Sequence, residues 1–303
     1  MKSLKSYNPL SVSVCFLSVI LISMFSLNPI IIMLSFTGGL ILYCSTPYCK
    51  SKKIHISVFI IIAGCTILNP IFSHNGKTPL LFINNNAVTA EALVYGLFMG
   101  IMVAGALYWF AVYSEIMTAD KVVYSVGRFF PKSALMLTLA LRFIPVYIKK
   151  SKEAMAVQKT LGTFKTDSIV YKVKSVMRVF SVMISYMIEN TIITSDSMAA
   201  RGYGGGKRSR YRIFSFDTAD RVLTAITAVI GGIYIAVSAF GFLDYSFYPS
   251  MKLPGFEAAA VAAYSGYFVL CLIPTIIEAG DKLKWRLLKS KISPSHTPAA
   301  QKQ

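Results

Sequence analysis

The sequence predicts an all-α, polytopic membrane protein with about six transmembrane helices. Three observations carry this prediction: 55% of the 303 residues are hydrophobic, the mean hydropathy is +0.59, and the apolar residues gather into long runs. So much apolar surface would not remain in water, which excludes a soluble enzyme domain, and a disordered chain would be far more polar. Lys and Arg number 31 against 13 Asp and Glu, an excess typical of membrane proteins with a basic cytoplasmic side.

Six apolar runs approach the roughly 20 residues that a spanning helix needs. They are residues 12–27, 30–43, 54–68, 92–113, 222–242 and 256–277. Asn28 and Pro29 predict a tight turn between the first two runs, because proline lacks the amide proton that a continuing helix would use. In the fourth run, Gly96 and Gly100 have the small-xxx-small spacing that favours close packing of membrane helices.

Positive charge divides unevenly between the two predicted sides of the membrane. With the amino terminus inside, the segments 1–11, 44–53, 114–221 and 278–303 hold 2, 3, 18 and 6 Lys and Arg, whereas the outer loops hold only Lys77 and Lys252. The positive-inside rule therefore predicts that both termini are cytoplasmic. This asymmetry also accounts for the net charge of +18 without a nucleic-acid partner.

The region between the fourth and fifth runs is neither apolar enough to span easily nor polar enough to be a linker. Residues 121–212 contain 17 basic and 4 acidic side chains. Within residues 168–201, an apolar and a polar stripe recur at helical spacing; the apolar stripe is Val173, Met177, Phe180, Ile184 and Met187, and the polar stripe is Lys174, Arg178, Ser181, Ser185 and Glu189. We expect long helices along the inner face, although an even number of crossings would also keep both flanks cytoplasmic.

Residue patterns that would indicate catalysis or a cofactor are missing. The three histidines, His55, His74 and His296, form no H-x-x-x-H pair. The cysteines, which are Cys15, Cys44, Cys49, Cys65 and Cys271, lack metal-ligand spacing and are predicted to be small buried hydrophobic residues. We therefore predict no catalytic residues, no metal site and no cofactor.

The glycine-rich segment 202–208 resembles a phosphate loop only superficially. The positions of the first Walker glycine and of the Ser/Thr are filled by Arg201 and Arg208, and the segment ends a helix instead of opening one. Carboxylates that could mark an ion path are absent from the middle of the six runs. Energy for any transport is thus expected to come from another subunit.

The end of the long amphipathic segment has an unusual combination of small and charged residues. Gly202 is a candidate C-cap, and a cation such as Arg201 in the last turn suits the helix dipole. By itself this pattern predicts only a capped helix end. The small residues Ala199 and Ala200 would also allow a partner to approach closely, with the guanidinium as a bidentate anchor in an acidic groove.

Five segments in this order resemble one family, the transmembrane T component of energy-coupling factor (ECF) transporters, which are ABC importers. They are 8–10 (NPL), 69–76 (NPIFSHNG), 88–96 (VTAEALVYG), 139–145 (LALRFIP) and 198–203 (MAARGY). The resemblance implies a bacterial plasma-membrane protein that is not itself an enzyme. Its implied partners are two ABC-type ATPases, a small substrate-binding membrane subunit (S component) and the lipid bilayer, in uptake of a vitamin or of a metal ion such as cobalt.

The resemblance also implies where the ATPases dock. In the family, two X-Arg-Gly motifs at the ends of coupling helices enter grooves on the two ATPases. The second motif matches as Ala200-Arg201-Gly202, whereas the first falls on Thr160-Leu161-Gly162, with Leu161 in place of arginine. We therefore expect asymmetric docking, with Arg201 as the stronger anchor and a looser, more apolar contact near Leu161.

Three regions follow from this interpretation: a four-helix membrane region (1–114), a coupling-helix region (115–212) and a two-helix membrane region with a basic tail (213–303). Met177, Met183 and Met187 are expected to meet the substrate-binding subunit, because methionine suits a surface that repacks, although they would equally suit an ordinary interface. Two other functions stay open. One is a membrane enzyme acting on lipid headgroups, and the other is a permease that binds substrate itself.

Overall fold

The computed structural model describes residues 4–46, 52–73, 76, 78–83, 86–162, 169–206, 216–247 and 257–291. Within these residues the helices are α1 Pro9–Phe25, α2 Pro29–Ser45, α3 Lys52–Phe72, α4 Ala90–Ile116, α5 Ala119–Phe129, α6 Pro131–Thr160, α7 Ile169–Ala200, α8 Thr218–Ala239 and α9 Ala258–Lys291. A short antiparallel hairpin, β1 Pro79–Ile83 and β2 Asn86–Thr89, precedes α4. The predicted all-α fold class is confirmed, with this hairpin as a small addition.

The chain forms two compact units. Met1–Thr118 and Phe214–Gln303 make the first unit, and Ala119–Ile213 makes the second. The first unit holds α1 to α4 together with α8 and α9, whereas α5, α6 and α7 belong to the second.

Helices α1 and α2 begin with the same kind of N-cap, an asparagine followed by proline. The side-chain oxygen of Asn8 accepts the backbone N–H of Leu10 at 3.1 Å, and Asn28 accepts that of Ile30 at 3.1 Å. In each helix the residue after the asparagine is proline at the first helical position, where its missing amide proton costs nothing. The turn predicted at Asn28 therefore lies between the two helices as expected.

The core of the first unit is centred on Trp109 of α4, which is fully buried. Its indole N–H donates to the carbonyl oxygen of Ser35 on α2 at 3.0 Å, and its ring meets that of Phe16 on α1 edge to face at 5.7 Å. Two adjacent glycines of α2 make room for this core, because a Cβ on Gly38 would lie 2.9 Å from the Cβ of Cys271 and one on Gly39 would lie 3.0 Å from the indole nitrogen.

Helices α3 and α4 approach each other through the predicted glycine pair. A Cβ on Gly96 would lie 2.7 Å from the carbonyl oxygen of Cys65, and one on Gly100 would lie 2.9 Å from the Cα of Ile62. Next to this contact the side-chain amide of Asn69 donates to the Ala92 carbonyl at 2.8 Å. The small-xxx-small spacing is thus used for helix packing inside the chain.

Six helices within the described residues are long and apolar enough to cross a membrane: α3, α4, α6, α7, α8 and residues Ala258–Leu288 of α9. Two of them, α6 and α7, were expected to lie along the inner face. Conversely, α1 and α2, predicted as spans, have only 17 residues each and are the shorter apolar helices. Length and composition alone do not orient a helix in a bilayer, so the in-plane placement of α6 and α7 stays a prediction.

Burial differs from the predictions at several polar and sulfur-containing side chains. Cys15 and Cys271 are buried as expected, but Cys65 is half-buried and Cys44 is exposed, so the prediction was wrong for Cys44; Cys49 lies outside the described residues, as do His74 and His296. Glu91, in the first turn of α4, is only 5% exposed, and the Thr78 hydroxyl donates to its carboxylate at 2.7 Å.

Candidate functional site at two helix ends

Helix α7 ends in a Schellman motif. The backbone N–H of Gly202 donates to the carbonyl of Ala199 at 2.9 Å, and that of Tyr203 donates to the carbonyl of Met198 at 3.0 Å. This pairing requires a left-handed residue, and Gly202 has φ of +78°. The predicted C-cap is therefore present, and Arg201 is the last residue before the chain turns away.

Helix α6 ends in a similar way. Its C-cap is Leu161, whose backbone N–H donates to the Val157 carbonyl at 3.1 Å. The N–H of Gly162 then donates to the Lys159 carbonyl at 3.0 Å, and Gly162 has φ of +74°. The bond from the glycine N–H to the carbonyl three residues earlier is thus present at both helix ends. Leu161 and Arg201 each stand immediately before the left-handed glycine.

The residue before each glycine is exposed and differs in chemistry between the two ends. Leu161 is 68% exposed. Arg201 is also exposed and forms no salt bridge with any other described residue. Ala200 and Thr160, which precede them, are exposed as well. The α7 end therefore presents an arginine without a salt bridge to any described residue, next to a small side chain. The α6 end presents an exposed leucine.

Aromatic residues connect α6 and α7. The ring of Tyr147 on α6 meets the ring of Tyr186 on α7 edge to face at 6.2 Å, and the Lys150 ammonium lies 5.9 Å from the centre of the Tyr186 ring. Leu161 follows Tyr147 by 14 residues and Arg201 follows Tyr186 by 15. At 1.5 Å per residue, each exposed end lies about 20 Å along its own helix from this contact.

The three methionines proposed for a partner interface do not share one exposed face. Met177 is 61% exposed and lies on the apolar stripe, whereas Met183 is only 5% exposed. Met183 continues a buried line with Ser175 and Val179 at four-residue spacing. Met187 is half-buried. Met183 therefore supports the packing of α7, and Met177 is the methionine most available to a partner.

Ligand chemistry is sparse within the described part of the chain. The described residues contain no group of three or more His, Cys, Asp or Glu that could hold a metal ion. Gly202 and Gly204 both have positive φ, at +78° and +94°, so the glycine-rich segment reverses the chain after α7. Lys207 and Arg208, which complete the phosphate-loop-like sequence, lie outside the described residues.

Sequence reasoning missed the likeness between the two helix ends. It identified Gly202 as a cap from the pattern before it, but it placed Gly162 only through the family motif. A helical run that ends in Gly was available as a local signal for both positions. The exposure of Leu161 could not be read from the sequence, because an apolar residue at a helix end is more often buried.

Comparison of the sequence with known proteins identifies a family model and several relatives that are named EcfT. Residues 2–212 match the family model described as CbiQ, cobalt transport protein. Similar proteins include the energy-coupling factor transporter transmembrane proteins EcfT of Streptococcus equi subsp. equi (34% identity over 103 residues, 33% of this chain and 38% of the relative) and Heliobacterium modesticaldum (27% over 188 residues, 57% and 68%). The EcfT protein of Leuconostoc gelidum is 30% identical over 104 residues, or 34% of this chain and 38% of the relative.

These alignments cover different fractions of the relatives. The stretch that this chain shares with the Streptococcus and Leuconostoc proteins spans 38% of their length. The family model, by contrast, covers more than two thirds of this chain and includes α1 to α7. The resemblance to T components is thereby confirmed. With its apolar helices and its two capped helix ends, the chain belongs to the CbiQ family of cobalt transport proteins.

Proposed function

We propose that the chain is the transmembrane coupling subunit of an energy-coupling factor ABC importer. In this role it transmits ATP-driven motion from two partner ATPases to a substrate-binding membrane subunit. The observation that carries the proposal is the pair of helix ends, α6 and α7, each with an exposed residue directly before a left-handed glycine. The chain itself carries out no chemistry, and ATP hydrolysis belongs to the partners.

The two helix ends are suited to rigid docking. A Schellman cap satisfies the last carbonyls of α7, so the end of the helix keeps its shape without a partner. Arg201 can then enter an acidic groove as a bidentate anchor, because no carboxylate within the described residues already holds its guanidinium. Ala200 lets the partner approach the helix closely.

Docking at the α6 end uses different chemistry. Leu161 has no charge, so it would contribute by burying apolar surface in a groove. Full burial of a leucine contributes about 1.5–3 kcal/mol, whereas removal of one partner from a buried ion pair costs about 3–5 kcal/mol, because the other charge is left buried and unpaired. We therefore expect Arg201 to be the stronger of the two anchors.

Motion reaches the membrane through the α6–α7 pair. Each exposed end acts about 20 Å along its helix from the contact between Tyr147 and Tyr186. A displacement of an ATPase at the exposed end of α6 or α7 therefore rotates that long helix. Such motion does useful work only if the substrate-binding subunit contacts the helices differently in the two states.

The uncovered apolar stripe of α7 supplies a surface for that subunit. Val173, Met177 and Phe180 are 56%, 61% and 58% exposed, and Ile184 continues the line. In the proposal Met177 and Met187 repack against the partner, and the buried Met183 supports them from inside. Residues 115–212 are then the coupling region, between the membrane regions 1–114 and 213–303.

Substrate selection lies outside this chain in the proposal. The described residues contain no cluster of three or more His, Cys, Asp or Glu, and in the proposal the cargo, a vitamin or a metal ion such as cobalt, is held by the substrate-binding subunit. The protein would work in the bacterial plasma membrane with both termini in the cytoplasm, as its charge asymmetry predicts.

The test is to purify the tagged chain from native membranes in mild detergent and to identify bound proteins by mass spectrometry. Arg201→Glu is compared with Arg178→Glu, which makes the same charge change at an exposed position on the polar stripe of α7. We expect two P-loop ATPases and a small membrane protein with the unmutated chain and with Arg178→Glu. Arg201→Glu should lose ATPase but keep the small membrane protein.

Two results would contradict the proposal. If the unmutated chain retains no ATPase, the coupling role is wrong. If Arg178→Glu loses ATPase as fully as Arg201→Glu does, the helix end is not the docking site and the effect is one of overall charge.

A further inference from the structure

Helix α6 has three sides that differ in chemistry, and the side toward α7 also carries the exposed apolar residues Met136, Val146 and Val157. One face meets α7 through Tyr147 and Lys150. A second face is basic: four exposed cations recur at steps of 7, 3 and 7 residues and span about 100° of the helix; they are Arg142, Lys149, Lys152 and Lys159. A third face, adjacent to the second, is apolar and exposed by 37%, 50%, 52% and 39% at Leu137, Ile144, Ile148 and Met155.

The cations of the basic face are largely without counter-charges. Glu153 is the only carboxylate on α6; it lies at the edge of the basic face, about 20° around the helix from Arg142, and it is bound by Lys150 at 2.9 Å. None of the four basic-face cations forms a salt bridge with another described residue, although Lys149 lies within electrostatic range of Glu153. The basic face is therefore free to bind anions.

The apolar line limits what the partner can be. An acidic groove on a protein would neutralise the cations but would leave Ile144 and Ile148 facing water. A membrane surface that contains anionic lipid satisfies both faces at once, because phosphate groups meet the cations while the apolar side chains enter the boundary of the acyl chains. A spanning orientation is disfavoured, since it would carry Arg142 into hydrocarbon without a partner.

We propose that α6 binds anionic phospholipid at the membrane surface, with phosphate groups along Arg142, Lys149, Lys152 and Lys159 and with the apolar line from Leu137 to Met155 below them. The basic face extends over 18 residues, or about 25 Å, which is enough for several headgroups side by side. This binding holds the coupling helix parallel to the bilayer. It does not depend on the presence of ATPases or of a substrate-binding subunit.

The test measures lipid selectivity on the purified full chain. The chain is stripped of native lipid in detergent, mixed micelles with equal phosphatidylglycerol and phosphatidylcholine are added, and the lipids retained are counted by native mass spectrometry. We expect phosphatidylglycerol to be preferred. Arg142→Gln/Lys152→Gln should lower this preference by about 25-fold, because each basic side chain near an anionic surface contributes about a fivefold gain.

The matched control removes the same charge from the polar stripe of α7. Lys174 and Arg178 are exposed and four residues apart, so they share one face of that helix. Lys174→Gln/Arg178→Gln should retain the selectivity of the unmutated chain. Circular dichroism of each variant establishes that the helices are intact.

Three outcomes would overturn the inference: no preference for phosphatidylglycerol in the unmutated chain, an unchanged preference in Arg142→Gln/Lys152→Gln, or an equal loss in the control. If Arg142→Gln/Lys152→Gln loses its ATPases from native membranes while its lipid preference is unchanged, the basic face binds protein instead of lipid. The lipid measurement contains no ATPase, so its failure is distinct from failure of the coupling role.

Discussion

The close approach of α3 and α4 at Gly96 leads to a quantitative prediction for Gly96→Val. A Cβ at this position would lie 2.7 Å from the Cys65 carbonyl oxygen and 2.9 Å from the Cβ of Asn69, closer than real Cβ contacts. The first neighbour is backbone and cannot turn aside, so the helices must separate. Separation also weakens the hydrogen bond from the Asn69 amide to the Ala92 carbonyl, now 2.8 Å.

The expected cost follows from overpacking. Inserting side-chain volume into a packed contact typically destabilises by about 1–3 kcal/mol, and loss of a hydrogen bond adds about 1 kcal/mol. The gain in helix propensity from replacing glycine by valine offsets only a few tenths of this. For a chain of 303 residues, with an unfolding entropy of about 2.1 cal/mol/K per residue, the midpoint of thermal unfolding should fall by roughly 3–6 °C.

The assay can use the buried cysteines of the first unit. Cys15 and Cys271 are 2% and 1% exposed, so in a background that carries Cys44→Ser, Cys49→Ser and Cys65→Ser a thiol-reactive fluorophore labels the chain only when the helices separate. The midpoint of labelling on heating is compared for Gly96→Val, the unmutated chain and Gly64→Val. A Cβ on Gly64 of α3 would meet nothing within 4 Å, so this control makes the same substitution in open space. Equal midpoints for the two variants would refute the packing argument.

Three further predictions address the ends of the helices. Asp220→Ala removes the carboxylate that accepts the backbone N–H of Asn8 at 2.8 Å across 212 residues, so it should destabilise the first unit by about 1–3 kcal/mol, measured as a lower labelling midpoint. Leu161→Arg restores the family motif and should raise ATPase retention on a salt-gradient wash; unchanged retention would argue against docking at the α6 end. Gly202→Ala places a Cβ at φ of +78°, which costs roughly 1–2 kcal/mol, and should weaken ATPase retention, whereas Gly206→Ala, whose φ is not positive, should not.

Local patterns predicted much of the fold because their causes are local. The Asn-Pro start of α2 and the glycine cap of α7 depend on neighbouring backbone groups, so residues 28–29 and 202 could be interpreted without the structure. The spacing of Gly96 and Gly100 predicted close packing but could not name α3 as the partner. The bond between Asp220 and Asn8 was not predictable, because a pairing between distant residues leaves no periodic signal in the sequence.

The candidate site was predictable in its position and less so in its surroundings. Arg201 and Leu161 were identified through the family motif, and the structure adds that both stand exposed before left-handed glycines. Periodicity described α7 as having two faces, yet the helix also has a buried line through Val179 and Met183. Met183 was therefore assigned to the same exposed surface as Met177, because a helical pattern does not distinguish an apolar face that is covered inside the chain from one left free.

The most direct test of the coupling role is site-specific photocrosslinking in native membranes. A benzophenone amino acid is placed at Thr160, at Ala200 and, as a control, at Lys174 on the exposed polar stripe of α7. We expect ATPase adducts from positions 160 and 200 and none from position 174. Adducts from position 174 alone, or none from positions 160 and 200 although ATPases co-purify with the chain, would contradict it.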